Sequence, residues 1–98
     1  MAEYMMLMHN DVEDRKDSPD WGTYLATLRS EGALQGGSAI GPGACMRRNG
    51  PVPGATNHLV GYVKIAARNL DHARKLVAGN PIYEAGGTVE IRELPRTD

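Results

Sequence analysis

The pattern of apolar and polar positions along the chain predicts two β-α-β units. The first unit opens with a continuous apolar run, residues 4–8, which is too short for an isolated helix and suits a central strand. A helix should follow, because apolar side chains recur three and four residues apart at Trp21, Tyr24, Leu25 and Leu28. Ser18 is its predicted cap, Pro19 fits its first turn and Gly32 is expected to end it.

A glycine-rich segment from Leu34 to Met46 predicts a weak second strand, interrupted by Gly41-Pro42-Gly43. Because proline is tolerated at sheet edges and bulges, we expect an edge strand here. Residues 47–57 then read as a turn-rich loop.

The second unit begins with another predicted central strand, residues 59–66. The next helix should be capped by Asn69 and should bury Leu70, Ala73, Leu76 and Val77. Gly79 and Pro81 are expected to end it. A polar loop from Asn80 to Gly87 is predicted next, followed by a half-buried strand over 88–94.

The order β-α-β-β-α-β is the ferredoxin-like pattern, so we predict one α+β domain over residues 1–98. In this fold both helices cover one face of an antiparallel sheet. The two central strands still present apolar side chains on the other face. A second subunit packing sheet to sheet would cover them, and we therefore expect a homodimer.

Composition narrows the possible partners and compartment. The net charge is −1, so no field favours nucleic acid, and the basic pair Arg47-Arg48 is expected to be a solvated part of its loop. No apolar run is long enough to span a membrane, and no signal peptide is expected at the N-terminus. The single cysteine, Cys45, is expected in the second strand as a small hydrophobic residue. It rules out an internal disulfide and favours a cytoplasmic location.

The predicted topology brings polar residues together at one end of the sheet. This end should hold His9, Asp11, the helix start at Trp21, His58 and the loop 80–87. His58 is either a general base or a loop histidine that bonds to the backbone. His9 and Asp11 form either an oriented imidazole–carboxylate pair or a polar cluster that ends the strand.

Other chemistry finds less support in the sequence. His9, Asp11 and His58 could converge on a metal, but no spacing motif indicates a metal site. The glycine runs match neither a dinucleotide fingerprint nor a phosphate loop, so no cofactor is expected. Trp21 and Tyr83 are either packing residues or the walls of a ligand site.

Several segments, in this order and spacing, resemble the YCII-related family over nearly the whole chain. They are residues 4–8, Ser18-Pro19-Asp20, residues 28–37, Asn49-Gly50-Pro51-Val52, Gly61-Tyr62, residues 70–73, Gly79-Asn80-Pro81 and residues 86–92. Asn49-Gly50-Pro51-Val52 is similar to the Asp-Gly-Pro-Phe signature of one branch. The resemblance implies a ferredoxin-like unit paired into a dimeric α+β barrel.

The resemblance also bears on chemistry. The family's proposed active-site histidine and aspartate fall on Trp21 and Asn80, neither of which can carry a proton as those groups do. We therefore predict a homodimer that binds a small polar or aromatic metabolite at one end of the sheet. Trp21 and Tyr83 would form apolar walls, with Asn80, His58 and Asp11 as polar contacts. The alternative is a lyase or isomerase similar to a dehydrochlorinase of the family, with His58 or His9 as general base.

Overall fold

The computed structural model describes residues 1–13 and 20–96 as four strands and three helices. In chain order they are β1 (Ala2–His9), α1 (Trp21–Ser30), β2 (Leu34–Ala39), β3 (Leu59–Ala67), α2 (Leu70–Lys75), α3 (Pro81–Glu84) and β4 (Val89–Leu94). The predicted α+β class and the ferredoxin-like element order are confirmed, with α3 as an addition.

The four strands form one antiparallel sheet in the order β2-β3-β1-β4. The apolar strands β1 and β3 are central and the glycine-rich strand β2 lies at an edge, as predicted. Met8 pairs with Gly61 of β3 and with Val89 of β4. Directly paired residues point to the same side of a sheet, so this register decides which side chains meet the helices.

The helices cover the face that carries the even-numbered residues of β1. Tyr4, Met6 and Met8 are buried there with Val63 and Ile65 of β3. The helices and the turn after α2 contribute a second set of buried side chains: Tyr24, Leu28, Ala73, Leu76, Val77 and Ile82. The core therefore lies between the sheet and one layer of helices, and the opposite sheet face carries no described helix.

Strand β2 is shorter than predicted, because it ends at Ala39 rather than Met46. The backbone N–H of Ile40 still donates to Val60 O, and pairing stops before Pro42, which has no N–H to donate. Cys45 consequently lies outside any strand, with its thiol 3.5 Å from Gly54 O, and the prediction that placed it in a strand is wrong.

The cap of α1 is Asp20. Its carboxylate accepts a hydrogen bond from the backbone N–H of Thr23, and this bond lowers the pKa of Asp20. The predicted cap and first-turn residues, Ser18 and Pro19, lie outside the described residues. Gly32 follows the helix with a φ of 71°, a conformation that glycine adopts without strain, so the predicted stop is confirmed.

Two predictions for the second unit are wrong. Leu70 is 48% exposed rather than buried, because helical side chains lean toward the N-terminus and Leu70 lies in the first turn of α2, beyond the core. The segment expected to be a polar loop contains the helix α3, since Asn80 caps it and Pro81 fits its first turn.

Candidate functional site

An open cleft between α1 and the edge of the sheet could hold a ligand. Its volume is about 490 Å³, within the range typical of small-molecule sites. Its lining comes from α1, β2, β3, the end of β1 and α3: Met8, Trp21, Leu25, Arg29, Leu34, Gly36, Gly37, Ser38, Ala39, Val60, Gly61, Tyr62, Val63 and Ile82. The cleft is bounded by α1 and the edge of the sheet and is mostly apolar.

Helix α1 serves the core and the cleft with two neighbouring stripes of side chains. Tyr24 and Leu28 are buried in the core. Trp21, Leu25 and Arg29 recur every fourth residue and line the cleft. Residues four apart lie on one face of a helix, so these three side chains form a row along one wall.

Small residues on the strands create the space below that row. Ala39 pairs with Gly61, and Gly61 pairs with Met8, so all three positions face the helices. The first two fill little volume, which leaves a hollow where larger side chains would extend the core. Position 37 has no room for a side chain, because a Cβ there would lie 2.7 Å from Tyr62 O.

Trp21 stands at the edge of the cleft. Its side chain is 36% exposed, and its ring meets the Tyr24 ring edge to face with centroids 5.9 Å apart. Trp21 thus packs against Tyr24 and also lines the cleft.

Tyr24 anchors α1 beneath Trp21. Its buried hydroxyl donates to Leu76 O at 2.7 Å and lies 3.3 Å from the sulfur of Met6. Burial raises the pKa of Tyr24 to about 12, an effect that the nearby amide of Asn80 partly offsets. The tyrosine is thus a neutral hydrogen-bond donor at physiological pH.

Asn80, which the sequence analysis proposed as a ligand contact, lies at the start of α3. Its side chain is fully buried, and its Oδ1 accepts hydrogen bonds from the backbone N–H groups of Ile82 and Tyr83 at 2.9 and 3.2 Å. Its Nδ2 makes no hydrogen bond to any described atom. Asn80 does not line the cleft. It caps α3, and α3 in turn places Ile82 on the cleft wall.

Tyr83 lies on the other side of α3. It is 54% exposed and lines a second, shallower hollow of about 500 Å³ between α2 and β4, together with Arg74, Lys75, Val77, Ala78, Val89 and Ile91. Tyr83 and Trp21 therefore do not face each other across one site.

The two predicted histidines meet at the end of β1. The rings of His9 and His58 stack edge to face with centroids 5.0 Å apart. His9 Nε2 lies 3.0 Å from a carboxylate oxygen of Glu90, and the other oxygen of Glu90 accepts from Arg92 at 3.1 Å. His9 foremost, and then Arg92, lower the pKa of Glu90. This group can orient an imidazole, but neither histidine lines the cleft.

Asp11 binds Thr88 rather than His9. It accepts from the Thr88 backbone N–H at 2.8 Å and from the Thr88 hydroxyl at 2.6 Å, and these bonds hold its pKa below the usual value. The backbone N–H of His9 also donates to Thr88 O. Asp11 thus ties the end of β1 to the start of β4, as a strand-end cluster does.

The sequence analysis missed several residues that shape the cleft. Leu25 was assigned to the core, and Arg29, Ala39, Gly61 and Ile82 were given no role in a site. The spacing of Trp21, Leu25 and Arg29 was a usable signal. The contribution of the small residues became visible only with the strand register.

Two further findings concern the described part of the chain. No group of three or more His, Cys, Asp or Glu side chains within residues 1–13 and 20–96 could hold a metal ion. None of the described helices is long and apolar enough to cross a membrane.

The sequence was compared with curated proteins and with models of protein families. No curated protein matches the sequence. The model of the YCII-related domain matches residues 2–97. Since this match covers nearly all of the chain, the protein belongs to the YCII-related family.

Proposed function

We propose that this protein binds a small, largely apolar or aromatic metabolite in the cleft between α1 and β2. One observation carries the proposal: a row of side chains headed by Trp21 stands over a hollow floored by Ala39 and Gly61. A flat ring fits between an indole and a surface without large side chains, and the apolar lining favours its transfer from water.

Two polar residues predicted as ligand contacts, Asp11 after β1 and Asn80 at the start of α3, have a different role in this proposal. Asp11 and Asn80 hold the backbone of the neighbouring loops. They support the elements around the cleft and do not touch the ligand. Tyr83 lines the second hollow and does not contact the ligand in this proposal.

The experiment that tests the proposal blocks the cleft from the sheet side. Ala39→Phe places a ring in the hollow at an exposed edge-strand position where phenylalanine is well tolerated. A panel of hydroxylated aromatics and small acids is titrated into the wild type, and the signal of the single indole N–H is followed by NMR. We expect shifts in the wild type and none in Ala39→Phe.

Ala26→Phe is the matched control, since Ala26 is exposed on α1 and does not line the cleft. It should bind as the wild type does. Equal binding by Ala39→Phe and the wild type would contradict the proposal, as would the absence of any shift across the panel.

The protein acts as a homodimer in this proposal, with the helix-free sheet face as the contact. Met5, Leu7 and Tyr62 are half-buried on that face and Val60 is exposed. Charges beside them are already paired: Lys64 lies 3.2 Å from Glu3, and Arg92 lies 3.1 Å from Glu90. An apolar face with neutralised charges suits a second copy of itself. A monomer by light scattering at micromolar concentration would contradict this.

A lyase or isomerase reaction is the second candidate. It is favoured by the Glu90 carboxylate, which orients His9 beside His58. The same panel, extended with chlorinated hydroquinones, is assayed for turnover in the wild type, His9→Ala and His58→Ala. Turnover that either substitution abolishes supports this candidate, and unchanged turnover removes both histidines from the mechanism.

A further inference from the structure

Arg29 is the one charged residue among the described residues that line the cleft. Its neighbours along the helix row are Leu25 and Trp21, both apolar, and the facing strands contribute mainly small or apolar residues. A guanidinium carries five N–H donors and a permanent positive charge. Among apolar lining residues it is therefore the group that can bind an anionic part of a ligand.

The described residues leave Arg29 available for a ligand. None of their carboxylates lies within salt-bridge distance of its guanidinium, whereas Arg74 and Arg92 each lie near an acid. A basic residue in the last turn also suits the helix dipole, but any position of that turn would serve that purpose. Position 29 instead continues the row of Trp21 and Leu25 into the cleft.

We propose, on the basis of the function proposed above, that the cleft selects planar aromatic carboxylates, with the ring beside Trp21 and Leu25 and the carboxylate on Arg29. The helix rise separates Trp21 from Arg29 by about 12 Å along the axis. The long arginine side chain can lean back toward Trp21 and span part of that distance, so a ring joined to a carboxylate through a short conjugated linker can reach both residues. The guanidinium fork matches a carboxylate through two parallel N–H···O bonds.

Cinnamate and cinnamamide are the probes, because they share one frame and differ in charge. Their affinities are measured by titration of the Trp21 indole N–H signal at pH 7. We expect cinnamate to bind the wild type about tenfold more tightly, the lower end of the range for hydrogen bonds to charged groups, since Arg29 is exposed.

Arg29→Gln should bring the two affinities together, and Arg29→Lys should retain part of the preference as a point charge without the fork. Arg29 is on the surface, and circular dichroism of each variant verifies its fold. Equal affinities in the wild type, or a preference that persists in Arg29→Gln, would overturn this inference and leave the proposed site intact. If neither probe nor any member of the earlier panel shifts the indole signal, the proposed function itself fails.

Discussion

The two stripes of side chains on α1 face the same sheet, but one lies in the buried core and the other lines the open cleft. Tyr24 and Leu28 pack against large side chains such as Met6 and are fully buried. Trp21 and Leu25 lie in the neighbouring row on the helix surface. They face small residues and remain partly exposed. The helix pattern is similar for both stripes. The difference therefore comes from residue size on the facing strands, which decides whether a helical side chain becomes core or cleft wall.

The sharpest test of this contrast compares two leucines of α1. Leu28→Ala removes a side chain that is 1% exposed, and such changes cost about 2–5 kcal/mol through lost burial and a cavity. Leu25→Ala removes a half-buried one and should cost about 1 kcal/mol. Urea unfolding measures both.

Ligand titration should show the reverse order, with Leu25→Ala weakening cinnamate binding and Leu28→Ala, where it stays folded, sparing it. Equal losses of stability in the two variants would mean that the stripes do not differ as described.

A second prediction concerns the packed side, at Asn80. Asn80→Ala removes the oxygen that accepts from two backbone N–H groups of α3, and we expect a loss of about 1–3 kcal/mol in unfolding free energy. Asn80→Ser keeps a capping oxygen and should lose less. Wild-type stability in Asn80→Ala would show that the cap does not hold α3.

The smallest expected effect lies at Tyr24. Tyr24→Phe loses the hydrogen bond to Leu76 O and should lower the unfolding free energy by about 1 kcal/mol at pH 8. The raised pKa adds a pH dependence. The folded state holds the proton up to about pH 12 and the unfolded chain up to about pH 10, so this contribution is complete below pH 10 and is lost as the pH rises toward 12.

Urea unfolding of the wild type and Tyr24→Phe at pH 8 and pH 11 separates this group from other titrating residues. The wild type should lose more stability over that interval than Tyr24→Phe does. Parallel losses would contradict the buried, neutral hydroxyl.

Much of the fold follows from local patterns. The continuous apolar runs identified β1 and β3 as central strands, and proline with glycine identified β2 as an edge. These inferences succeed because the apolar content of a strand and the missing proline N–H act on each segment separately.

The candidate site was harder to predict because it depends on pairing between distant segments. That Ala39 and Gly61 face the helices beside Met8 is a consequence of strand register, which periodicity does not supply. Asn80 shows the opposite case. The Asn-Pro pair was a readable helix-start signal, and its interpretation as a ligand contact overlooked the capping role that the structure gives it.

The central position of β1 has a consequence for how the protein is made. This strand is synthesised before both of its partners, β3 and β4, which lie at residues 59–67 and 89–94. At roughly 5–20 residues per second, the ribosome needs several seconds to supply both. During that time an apolar segment with unpaired backbone groups stays exposed in the nascent chain. The complete sheet can therefore form only after β4 has been synthesised, and until then β1 is a segment that a chaperone has reason to shield.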